Sequence, residues 1–160
     1  MLINEVGGVD ISTDTFATAP LVKELFRAGG AIPIGTAVKA DTAAAYIGKN
    51  VIAATSADGN KGASSFVGIY TGVGGSGAVG TVTNLPGNAA VAGDMVLIAI
   101  EGTVYALAGT GGVTAGSALK IADTSGRMTD YDVSAISATK TIGLAFEAAS
   151  AGAAFRMYVE

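Results

Sequence analysis

Ile34-Gly35-Thr36-Ala37-Val38-Lys39-Ala40-Asp41 and Ala115-Gly116-Ser117-Ala118-Leu119-Lys120-Ile121-Ala122-Asp123 are one phrase written twice, with one residue inserted after the lysine of the second copy. Each reads as a turn glycine leading into a short, half-buried strand. A fainter third copy, Ala92-Gly93-Asp94-Met95-Val96-Leu97, lies between them. The repeat extends outward, because Phe66-Val67-Gly68-Ile69-Tyr70 matches Thr141-Ile142-Gly143-Leu144-Ala145. Self-similarity of this kind predicts two related β-units, with a central hairpin from Gly93 to Ala108 between them.

The segments around the repeat agree. After Gly30 the chain breaks into short runs of Val, Ile, Thr and Ala punctuated by Gly, Asn and Asp, the spacing of strands and turns. Candidate strands include 36–40, 50–55, 65–71, 78–83, 95–101, 103–108, 118–122, 127–130, 141–147 and 154–159. Asp58-Gly59-Asn60, Glu101-Gly102 and Ser125-Gly126 read as turns between them. The fold class is therefore all-β, a small antiparallel β-barrel or sandwich. Ahead of it, residues 1–19 read as an extended arm. Pro20 then suits a first helical position, with Leu21, Val22, Leu25 and Phe26 on one face and Lys23, Glu24 and Arg27 on the other. Gly29-Gly30 would cap this helix. The expected organisation is an arm and short amphipathic helix over residues 1–30 and a β-barrel domain over residues 31–160.

Composition excludes several kinds of chemistry. The chain has no histidine and no cysteine, which closes Ser-His and Cys-His mechanisms, thiolate metal sites and disulfides. The net charge is −4, and the nine Lys and Arg are scattered. Binding to a nucleic acid would meet electrostatic repulsion. No run of about 18 apolar residues free of charges or glycine breaks suggests a membrane span. Charged residues make up 14% of the chain, against a usual share of about 25%. So sparse a charge set suggests a surface covered by partners.

Three motifs imitate chemistry. Gly72-Val73-Gly74-Gly75-Ser76-Gly77 contains a dinucleotide-type glycine spacing, yet β-branched and glycine-broken residues follow where a helix should begin, so a loop is the better reading. Ser117-Ala118-Leu119-Lys120 matches a serine–lysine acyl-transfer motif. On a strand, however, positions three apart face opposite ways, and Lys39 and Lys120 are read as edge or surface residues. Asp130-Tyr131-Asp132 reads as a solvated loop rather than a cation site, and Glu147 and Arg156 are placed to pair across the last two strands. Glu101-Gly102-Thr103-Val104 followed by Val113 to Leu119 resembles the hammerhead of lipoyl and biotinyl carriers. Residues 105–112 contain no lysine to modify. No enzymatic activity, cofactor or metal is expected.

The succession Ala92-Gly93-Asp94-Met95-Val96, Ile100-Glu101-Gly102-Thr103-Val104-Tyr105, Ala115 to Lys120 and Ile142-Gly143-Leu144-Ala145-Phe146-Glu147-Ala148-Ala149-Ser150-Ala151-Gly152 resembles the capsid decoration, or cement, proteins of tailed bacteriophages. The resemblance covers about residues 90–160. It implies a noncatalytic virion protein, made in the host cytoplasm, that binds the outer capsid surface as a homotrimer and clamps neighbouring subunits of the major capsid protein. The candidate capsid or subunit contacts are Leu2, Ile3, Val6, Ile11 and Phe16 of the arm and Leu21, Val22, Leu25 and Phe26 of the helix. The competing expectation is a ligand- or carbohydrate-binding β-domain on a virion or cell surface. It is weakened by the absence of Trp, since sugar sites favour aromatic platforms.

Overall fold

The computed structural model describes residues 5–6, 9–10, 22–43, 50–59, 66–73, 89–132 and 141–160. In chain order its strands are β1 (Glu5–Val6), β2 (Val9–Asp10), β3 (Val22–Ala28), β4 (Ala37–Ala40), β5 (Asn50–Ala53), β6 (Phe66–Val73), β7 (Met95–Leu107), β8 (Ala118–Ile121), β9 (Met128–Asp130), β10 (Gly143–Ala145) and β11 (Ala154–Val159), with a 3-10 turn at Ser56–Gly59 after β5. The fold is all-β, as the repeat and the strand spacing predict. β1 and β2 pair with each other, and the other nine strands form one sheet in the order β3-β5-β4-β6-β7-β11-β10-β8-β9. A further pairing of β3 with β7 closes β3, β5, β4, β6 and the first half of β7 into a five-stranded barrel. The second half of β7 pairs with β11 and begins a second ring through β10, β8 and β9. A parallel bridge between Ala108 and Met128 joins that ring's ends, and the Gly109 N–H donates to the Met128 carbonyl at 2.6 Å.

The two rings match rung for rung. In the first, Ala37 faces Ile69 and Val38 faces Gly68. In the second, Ala118 faces Leu144 and Leu119 faces Gly143. Gly35 and Gly116, the glycines that open the repeated phrase, have φ of 79° and 80°. They donate to the Tyr70 and Ala145 carbonyls, each at 2.8 Å. The Ile32–Ala90 bridge recurs as Val113–Ala149, and the bond from the Gly93 N–H to the Ala28 carbonyl recurs from Gly152 to Ala108, both at 2.8 Å. The fainter third copy of the phrase thus corresponds to Gly152 and β11. β7 serves twice, as the last strand of one barrel and the first of the next.

This sharing corrects two expectations. Glu101-Gly102 is not a hairpin turn, and Gly93–Ala108 is not a hairpin; β7 runs unbroken from Met95 to Leu107. Gly102, at φ 110°, takes up the passage between barrels, and just before it the β3 ladder shifts register, skipping Ile100 between Val22 (opposite Glu101) and Lys23 (opposite Ala99). The expected helix is also overturned, because Val22–Ala28 is a strand. A helix of two turns is marginal in water, whereas as β3 this segment pairs with β7 from Val22 to Arg27.

Each barrel has its own interior. The first contains Val38, Val51, Tyr70, Val96 and Ile98, and the second contains Leu119, Met128, Ala145, Phe155 and Met157 at the matching places. The large ring has moved from β6 (Tyr70, where the second interior has Ala145) to β11 (Phe155, where the first has Val96), a compensated exchange of the kind cores accept. Gly68 and Gly143 occupy matching positions that admit no side chain. An added Cβ would run into the Ala99 carbonyl oxygen at the first and the Tyr158 carbonyl oxygen at the second.

Candidate interaction surface

The strands place the suspected chemical motifs apart from one another. Ser117 precedes β8 and Lys120 lies within it. Gly72 and Val73 continue β6, and the rest of that glycine run lies outside the described residues. Asp130 Oδ1 accepts the Thr114 N–H at 2.9 Å, so this carboxylate fastens a turn. Glu147 Oε1 accepts the Arg156 N–H at 2.7 Å, and Arg156 Nε lies 3.8 Å from Glu147 Oε2. Among the described residues no three potential metal ligands cluster, and no helix is long and apolar enough to cross a membrane.

The seam between the barrels is a built structure. Ala37, Ile69 and Ala99 point outward from the first barrel, yet they are fully buried and belong to the same cluster as the second core. The β8–β9 turn caps them: the Gly126 carbonyl accepts the Ala37 N–H at 2.7 Å and the Asp123 carbonyl accepts the Ser56 N–H at 2.9 Å. Beside it Lys39 Nζ lies 3.1 Å from Asp58 Oδ1, while Asp58 Oδ2 accepts the Thr55 N–H at 2.6 Å and the Thr55 hydroxyl at 2.7 Å. Lys39 is thus a half-buried structural partner rather than an edge lysine. Desolvation pushes the Asp58 carboxyl up, but the Thr55 hydrogen bonds and the Lys39 charge outweigh it and hold it below the usual aspartate value. Lys23, on the row of Ala99, is lowered by burial.

Of the expected contact residues, Val22 and Leu25 are exposed and Phe26 packs against the first core. The strand alternation separates Leu25 from Phe26, so the single apolar face of the expected helix does not exist. Val6 lies in β1, and Leu2, Ile3, Ile11, Phe16 and Leu21 lie outside the described residues. Apolar side chains that the sequence reading did not single out are exposed on the outer side of the second barrel. Phe146 is 45% and Leu144 38% exposed, with Tyr158 opposite Leu144 and Tyr105 opposite Arg156. Their signal was alternation along 144–146, with Ala145 turned inward.

No family model matches this chain, and no curated protein matches it. Among solved structures it is similar to the N base of the head fiber protein gp8.5 of bacteriophage phi29, with a TM-score of 0.51 and 14% sequence identity, over 88% of this chain and 95% of that one.

Proposed function

We propose that this chain is a noncatalytic structural protein of a tailed-phage head, which binds the outer capsid surface as a homotrimer and stabilises contacts between subunits of the major capsid protein. The observation that carries the reading is the shared fold with the base of a phage head fiber across 88% of the chain. It agrees with the decoration-protein resemblance of residues 90–160. Absence of His and Cys and the acidic balance fit a protein that works by burying surface rather than by reaction.

In this reading the two barrels supply a stiff body. Residues 1–21 and the exposed Val22 and Leu25 supply contacts to the head, and several weak contacts per trimer add up through multivalency. Co-sedimentation with purified heads that lack the protein tests it. The full chain is expected to travel with the heads, and a chain lacking residues 1–18 to fold but to be retained poorly. Failure of the full chain to bind heads, together with binding on a glycan array, would replace this reading by a carbohydrate-binding one.

A further inference from the structure

The molecule contains its own example of how the flank of one of its barrels is covered. On the first barrel Ala37, Ile69 and Ala99 form one cross-strand row over β4, β6 and β7. All three are fully buried because the end of the second barrel sits on them. On the second barrel the corresponding row is Ala118, Leu144 and Tyr158 over β8, β10 and β11, in the same register. No described residue seals it: Leu144 is exposed, Ala118 and Tyr158 are half-buried, and Phe146 extends the apolar surface along β10. A row meant for solvent would have exchanged its outward residues for polar ones. Here Ile69 corresponds to Leu144 and Ala99 to Tyr158, so the row stays apolar and gains an aromatic ring suited to an interface.

We propose that the Ala118-Leu144-Tyr158 row is a self-association surface whose occupant is the first barrel of a second copy of this chain. The contact repeats between chains the one made within the chain. Inside the chain the capping group is the β8–β9 turn, Asp123 to Arg127. Its counterpart on the incoming copy is the matching end of the first barrel, where β4 finishes at Ala40. The two faces differ, so the association is head-to-tail, and such contacts close into a ring when the rotation permits. The inference deepens the homotrimer of the proposed function and rests on that part of it; attachment to a head is a separate matter.

The test is the mass of the full-length chain in solution, by sedimentation velocity over a range of concentrations. Wild type is expected to be a trimer. Leu144→Glu is expected to weaken self-association at least tenfold and yield folded monomers. Ala151→Glu, at an exposed turn of the second barrel away from the row, is expected to leave the trimer intact. Circular dichroism checks folding, and Leu144→Gln replaces Leu144→Glu if the charge unfolds the chain. A Leu144→Gln or Leu144→Glu protein that is folded and still trimeric overturns the inference and leaves the trimer standing. A wild type that stays monomeric overturns both, while retention on heads continues to test head binding by itself. Open polymers abolished by the Leu144 variants support the contact and overturn the closed trimer.

Discussion

Gly68 and Gly143 show how strictly the duplicated plan is imposed on single residues. An alanine at either position would drive its Cβ into a neighbouring strand's carbonyl oxygen. Overpacking of this kind costs about 1–3 kcal/mol, and more when backbone must move. Gly68→Ala and Gly143→Ala should therefore each lower the melting temperature by several degrees. Gly30→Ala, where an added Cβ meets nothing within 4 Å, should leave it nearly unchanged. Asp58 gives a pH signature. Because its carboxyl is held below the unfolded value, its contribution is present above the ordinary aspartate pKa near 3.9 and is lost as the pH falls through the folded value. Asp58→Asn should cost about 1–3 kcal/mol at neutral pH and should flatten the acid limb of a stability-versus-pH curve. An unaltered acid limb would show that other carboxylates govern it.

Among the elements, the repeated phrase was legible because close approach and turn geometry constrain the same few positions twice. Gly35 and Gly116 turn the chain, and Gly68 and Gly143 admit the neighbouring strand, so letters recur where physics recurs. β3 was illegible for the opposite reason. Leu21, Val22, Leu25 and Phe26 fit a helical face, and the strand that decides otherwise, β7, lies far along the chain. Glu101-Gly102 misled because a glycine that ends a strand and one that bends a continuous strand have the same local chemistry. The outer row of the second barrel was hidden as well, since alternation does not say which face of a closed barrel another body will cover. β3 also makes a sharp expectation. Removing residues 1–18 leaves its ladder with β7 intact, but removing 1–28 takes away a wall of the first barrel. Circular dichroism and thermal melting should find the shorter deletion folded with a cooperative transition, and the longer one without a cooperative first barrel.

At the scale of the molecule, the two barrels are not independent domains. They share β7, and the cluster formed by the second interior includes Ala37, Ala54, Ile69 and Ala99 of the first barrel's outer face. Exposing the second core therefore also uncovers the flank of the first. Urea unfolding should give one transition, with tyrosine fluorescence and far-ultraviolet circular dichroism coincident, and Gly68→Ala and Gly143→Ala should shift that same midpoint. Two separated transitions would show that the seam is weaker than its burial implies.

The shared strand also determines how the molecule bears load. Proteins made of beads on a string give way at the string, where a linker can swing or a protease can cut. Here the backbone leaves one barrel and enters the next without leaving the sheet; the first half of β7 is laced to β3 and β6, and the second half to β11. A pull transmitted through β7 meets rows of hydrogen bonds in shear rather than a hinge. Limited digestion of the native chain should accordingly release no single barrel. Whatever the two barrels grip, they grip as one lever.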